Sequence, residues 1–304
     1  MRPLLKLAAL SLLPLALQAC STYADSDVAA AAPPPATLGQ GPALWKVADE
    51  DTTIYLFGTV HALPKDVEWF NAPIATALGA SDELVTEIPK VDPGDTAIQQ
   101  ATIAKGVATD GITLRNRLTP EQSARYEAAL TGLGMPAAAF DSFEPWFAGM
   151  TLATLPLFRA GYDPNSGVEK VIEAEAEGKT RTALESVEYQ LDLFDTLPED
   201  VQVAFLMSGV DTIDELVPLL DRIVAEWAVG DVEDVSRLAF TTARDDAVAE
   251  AVFFQRNRNW TDWIDARMDR PGTVFIAVGA GHLAGDKSVQ AYLQQRGIAV
   301  TRVQ

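Results

Sequence analysis

One cysteine and two histidines in 304 residues narrow the chemistry before any pattern is sought. A lone cysteine makes no internal disulfide. Without a CxxC pair or a Cys/His cluster, zinc fingers and iron–sulfur centres are excluded as well, so stability must come from burial. Basic residues are also scarce. The 23 Lys and Arg against 43 Asp and Glu give a formal net charge of −20, a balance that repels phosphate backbones and argues against nucleic acid as a partner. The chain has no Walker A loop, no GxGxxG after a strand, no GxSxG elbow and no HExxH helix, which leaves nucleotide hydrolysis, dinucleotide chemistry and a serine α/β-hydrolase mechanism without support. What is present is 48% hydrophobic and 22% charged, the make-up of a globular chain and not of a disordered one. Its length is enough to bury a sizeable core.

Residues 1–19 read as a secretory signal of the lipoprotein type. Arg2 and Lys6 form the positive region, and the apolar run Leu7 to Leu17 is too short for a permanent membrane span. Leu17-Gln18-Ala19-Cys20 resembles a bacterial lipobox with Gln18 in place of a small residue, so the only cysteine, Cys20, is the expected lipidation site. The membrane would then be a partner through that anchor alone, and the expected location is the bacterial cell envelope, facing the periplasm; cleavage without lipidation would leave a free periplasmic protein. Residues 20–41, with Ala-Ala-Pro-Pro-Pro at 31–35, read as an Ala/Pro-rich tether. Residues 42–304 read as one domain.

Within that domain, Thr52 to Phe57, Glu83 to Ile88, Arg181 to Glu185, Thr273 to Val278 and Ile298 to Val303 have the β-branched and apolar character of strands. Helices are expected over 119–131, where Thr119-Pro120-Glu121-Gln122 combines an N-cap, a first-turn proline and a capping-box Gln. Others are expected over 145–158, 168–177 and 189–197, through most of 198–268, and over 288–295. Strands separated by helices predict an α/β fold: a central β-sheet with a large helical insertion or cap.

Both histidines follow a strand in the same spacing, Gly58-Thr59-Val60-His61 and Gly279-Ala280-Gly281-His282. With no histidine elsewhere, coincidence is a poor account of this repetition. In an open α/β sheet, ligands bind in the crevice beyond the carboxyl ends of the strands, where Gly58 and Gly279 would let the backbone turn and the histidines project. Two further strands end in an acid, Glu87 and Glu185. If these four strands are parallel neighbours, the crevice holds two imidazoles and two carboxylates, a set suited to metal binding or acid–base catalysis. Taken singly, a strand-end histidine is more often structural, and a strand-end acid is often a helix cap.

Several further stretches join these motifs: Ala43-Leu44-Trp45-Lys46-Val47, Val85-Thr86-Glu87, Gly167-Val168-Glu169, Leu184-Glu185-Ser186 and Arg256-Asn257-Arg258-Asn259-Trp260. With them the chain resembles the TraB/GumN family, which is related to the TIKI metalloproteases and more remotely to the fold of erythromycin esterases and ChaN-like lipoproteins. Ser186 and Glu169 depart from the commoner Thr and Asp. The resemblance implies a metal-dependent hydrolase, a peptidase in the first instance. His61, His282 and Glu87 would hold a divalent ion (Mn, Co or Zn), Glu87 serving as ligand or base, and Arg256 would act on a substrate carboxylate or an oxyanion. The expected substrate is a peptide or small acyl compound. Two alternatives stand beside it. One is a metal-free esterase with His61 as general base beside a glutamate. The other is an envelope lipoprotein that captures iron or haem, with Tyr55 or Tyr162 as an axial ligand.

Overall fold

A computed structural model describes residues 41–90, 96–240 and 247–304. Residues 1–40, which hold the expected signal, Cys20 and almost all of the expected tether, lie outside the described residues.

The elements follow in the order β1 (Leu44–Ala48), β2 (Thr52–Thr59), α1 (Ala72–Ala80), β3 (Glu83–Thr86), α2 (Thr96–Gly106), α3 (Pro120–Gly132), α4 (Pro145–Arg159), α5 (Val168–Glu175), β4 (Thr180–Ala183), α6 (Val187–Asp195), α7 (Glu199–Asp211), α8 (Ile213–Val229), α9 (Val232–Phe240), α10 (Gln255–Met268), β5 (Gly272–Gly279), α11 (Val289–Gln295) and β6 (Val300–Arg302). The chain is thus an α/β protein with a six-stranded mixed sheet, as its pattern predicts. It divides into two compact units, one formed by the described residues of 91–161 and 187–218, the other by those of 32–90, 162–186 and 219–304.

The first unit is helical. Thr119 caps α3 with the reciprocal capping box read from the sequence, its hydroxyl accepting from the Gln122 amide while the Gln122 side chain accepts from Thr119. Leu114, Tyr126, Leu130, Ala148, Leu152, Leu206 and Met207 share one buried cluster, each large side chain contributing about 1.5–3 kcal/mol of transfer free energy.

The second unit carries the sheet, in the order β4-β3-β5-β2-β1-β6. β4, β3, β5 and β2 are parallel neighbours, and β1 and β6 close one edge in antiparallel pairing. The β2–β5 register sets Thr53, Ile54, Tyr55 and Leu56 opposite Thr273, Val274, Phe275 and Ile276, so the similar strand segments lie side by side. One face buries Ile54, Leu56, Val85, Val274 and Ile276 with Trp260 and Ile264 of α10 and Leu293 of α11. Elsewhere in the unit Phe57 meets Trp69 and Phe275, with ring centroids 5.7 and 5.8 Å away. Apolar side chains on both faces account for the near-continuous hydrophobic runs of β2 and β5.

β1 is a strand that the sequence reading leaves as a lead-in to β2. Its helix over 168–177 is shorter in the structure and stops at Glu175, with Gly178 taking the left-handed φ of +83° that ends the turn.

A candidate active site at the strand ends

His61, Glu87, Glu185 and His282 come from the segments just beyond β2, β3, β4 and β5. Because these four strands are adjacent and parallel, their carboxyl ends face one side, and the four side chains gather there in a buried cluster and not in an open crevice. The site is almost closed. His282 and Arg256 are fully buried, and His61 and Glu87 are each 7% exposed.

Arg256 is the hub. It follows a π-helical stretch, Glu250–Phe254, that leads into α10, the kind of register shift that recurs at functional sites. Its Nε donates to Glu185 Oε1 and Oε2 at 2.9 and 3.1 Å. Nη2 donates to Glu87 Oε2 at 2.6 Å and to Glu185 Oε2 at 2.8 Å, and Nη1 donates to the Val252 carbonyl at 2.9 Å and faces His282 Nε2 at 3.1 Å. All five N–H groups are therefore engaged. The Trp260 ring lies 4.7 Å from the guanidinium carbon, and its indole N–H donates to Glu185 Oε1 at 2.8 Å. As arranged, Arg256 has no donor left for a substrate carboxylate or an oxyanion, and its geometry is that of a group that positions the two glutamates. Arg258, two residues on, pairs with Glu250 on the outer face of the helix.

His282 is wedged between Trp260 and Phe253, ring centroids 4.3 and 5.0 Å away. Asn257 Nδ2 donates to the Lys287 carbonyl at 2.8 Å, which orients Asn257 Oδ1 to accept from His282 Nδ1 at 2.6 Å. The Nε2 lone pair therefore faces Arg256. Burial, reinforced by the Arg256 cation and by His61, pushes the His282 pKa well below its ordinary value, so this ring is neutral.

His61 is held differently. Its Nδ1 lies 2.6 Å from Glu169 Oε1, but neither atom makes an aligned hydrogen bond, so the contact is a close ion-pair approach. Burial alone would lower the His61 pKa; the Glu169 carboxylate outweighs it and holds the value above the ordinary one. Burial likewise opposes ionisation of Glu169, and the His61 ring outweighs that, keeping the carboxyl below its usual range. His61 Nε2 is buried and has no partner.

The glycines of the two motifs serve close approach. Neither has positive φ, which corrects the expectation of a sharp glycine turn. A Cβ on Gly58 would lie 3.0 Å from Ala280 Cα, and one on Gly279 would lie 3.1 Å from Glu87 Oε1 and 3.9 Å from His61 Nε2. Without a side chain there, the Gly279 amide can donate to Glu87 Oε1 at 2.7 Å. Gly167 follows the same logic, since its Cβ would stand 2.2 Å from the His61 carbonyl oxygen. Gly167→Ala is expected to cost about 1–3 kcal/mol through this overlap with fixed backbone, and a chemical denaturation curve checks it.

Glu169 and Asn257 are the site residues that the sequence reading does not single out. Both lie in stretches noted there, Gly167-Val168-Glu169 and Arg256-Asn257, yet neither stands at a strand end. Tyr162, proposed as an axial ligand, donates its phenol to Asp221 Oδ1 at 2.7 Å.

Fold and site together define an α/β protein with a closed His–Glu–Arg cluster beyond its parallel strands. The chain belongs to the TraB/PrgY/gumN family, whose model matches residues 43–302. No curated protein and no solved structure matches it.

Proposed function

We propose that the chain is a metal-dependent hydrolase of the bacterial cell envelope, acting on a peptide or small acyl substrate. The observation that carries this reading is the buried, unpartnered Nε2 of His61 beside Glu87 and His282. With His282 neutral and the His61 charged form favoured by Glu169, Glu87, Glu169 and Glu185 still outnumber Arg256 and His61, an excess of buried negative charge that a cation would offset. Each histidine has its Nδ1 2.6 Å from a side-chain oxygen, of Glu169 or Asn257, and such outer-shell neighbours are common around metal ligands. Imidazole and carboxylate are suitable donors for such an ion, and His61, Glu87 and His282 are the residues that would hold it. As placed they do not bring one ligand atom each within 4.8 Å of one another, so binding would require Arg256 Nη1 to withdraw from His282 Nε2. Mn, Co and Zn all suit these donor types. An ion there would supply Lewis acidity towards water and a substrate carbonyl. Asn257 fixes the His282 ring, and Arg256 fixes the Glu87 carboxylate.

The second reading is a metal-free hydrolase with His61 as general base. It is favoured by Arg256 Nη1, which already stands at His282 Nε2 where an ion would be expected. Envelope location rests on the N-terminal signal and Cys20. No helix among the described residues is long and apolar enough to cross a membrane.

The test is metal analysis of a chain beginning at Ser21, stripped with chelator and reloaded with Mn, Co or Zn, alongside hydrolysis of peptide and ester panels. About one retained ion per chain and hydrolysis that returns on reloading are expected. Hydrolysis indifferent to chelator would replace this reading with the general-base one. Retained ligand without turnover would replace both with a binding function.

A further inference from the structure

Glu169 is explained by neither of the roles usual for an acid in a first helical turn. Such residues are generally exposed and favoured by the helix dipole, whereas the Glu169 side chain is 22% exposed and its Oε1 is buried against the His61 ring. The segment that carries it is docked on the His61 backbone. The Val168 amide donates to the Val60 carbonyl at 3.0 Å, and Gly167 approaches the His61 carbonyl more closely than any residue with a side chain could. Two backbone constraints therefore fix the start of α5 against the Val60–His61 loop and place Glu169 where its carboxylate meets Nδ1.

A bare nitrogen lone pair 2.6 Å from a carboxylate oxygen would be repelled. In the neutral ring the His61 proton therefore belongs on Nδ1 and the lone pair on Nε2, which lies 3.9 Å from where a Gly279 Cβ would stand, a point 3.1 Å from Glu87 Oε1. We infer that Glu169 is a positioning residue that sets the tautomer and ring orientation of His61, and that Gly167-Val168-Glu169 is the device that holds it there. The inference rests on the reading of His61 as the group that holds the ion or activates water, whichever of the two hydrolase mechanisms applies. The histidine–carboxylate pairing is the outer-shell relation that fixes imidazole ligands and raises their basicity.

The test uses the full chain labelled with 15N-histidine. Two histidines give two ring systems, and His61→Gln assigns them. At alkaline pH, where both rings are neutral, wild type is expected to show His61 as the Nδ1–H tautomer. In Glu169→Ala the His61 shifts should move towards a tautomer average, while those of His282 stay in place. Titration of the same proteins with Mn or Zn is expected to show affinity about 10–100-fold weaker in Glu169→Ala, largely restored in Glu169→Asp. An unchanged His61 tautomer in Glu169→Ala would overturn the inference and return Glu169 to the role of a helix-start acid. If the tautomer changes but neither wild type nor variant binds Mn or Zn, the positioning role is upheld and the metal-dependent reading fails.

Discussion

Arg256→Met is expected to lower the unfolding free energy by about 3–5 kcal/mol, the cost of removing one partner from a buried ion-pair network. The guanidinium is fully buried and lies between Glu87 and Glu185, whose side chains are 8% and 5% exposed. Methionine fills much of the volume but leaves both carboxylates without their cation. It also leaves the Val252 carbonyl and His282 Nε2 without a donor. Arg256→Lys should recover little of this, because an ammonium with three N–H groups cannot reproduce a planar fork that serves five acceptor atoms. Arg256→Met combined with Glu87→Gln and Glu185→Gln should regain a large part of the loss, since the buried charges then go together. Urea unfolding followed by circular dichroism measures all three. A single Arg256→Met variant within about 1 kcal/mol of wild type, the range of an ordinary substitution, would show that the network does not hold the fold.

The same buried hub shows what a sequence reading reaches and where it stops. His61, Glu87, Glu185 and His282 were legible because each sits just past a hydrophobic run, and a strand end fixes where the next few side chains go. That the four strands are neighbours in the order β4-β3-β5-β2 is only a condition in the sequence, because strand order is set by packing between segments as much as 220 residues apart and has no local signature. Arg256 is legible as a candidate, but its residue type points to a substrate carboxylate or an oxyanion and not to the two glutamates. Its helix neighbours Arg258 and Asn259 look equally polar, and the π-helical stretch before it, which shifts the register of the buried face, is invisible to a 3.6-residue period. Asn257 and Glu169 act on histidines distant in the sequence, from a helix interior and a helix start, so periodicity could not find them. The glycines were found for the wrong reason. Their spacing suggested a turn, but the structure uses the absence of a Cβ to let Glu87 and the backbone approach. β1 escaped because Leu44-Trp45-Lys46-Val47-Ala48 is too short for its alternation to stand out, and its pairing with β2 and β6 decides it.

The two GxxH histidines look equivalent in the sequence, yet their alanine variants are expected to fail in different ways. His61→Ala removes an imidazole whose Nε2 has no partner and whose one close polar contact, Glu169, is partly open to solvent. It should fold with a modest loss of stability and bind Mn or Zn at least about 100-fold more weakly, as expected when a ligand and not merely its outer-shell support is lost. His282→Ala empties a fully buried space between Trp260 and Phe253 and takes partners from Asn257 and Arg256. Its expected cost is about 2–4 kcal/mol, within the range for large buried side chains cut to alanine, and any loss of metal or activity comes together with loss of structure. Denaturant unfolding and calorimetric metal titration of the two variants, run side by side, separate these outcomes. Equal destabilisation with equal loss of metal would restore the symmetry that the motif suggests, and would mean that Arg256 Nη1 yields His282 Nε2 to the ion. If both variants are stable and neither changes metal binding, no ion is shared between the histidines, and His61 is left as the base of a metal-free reaction.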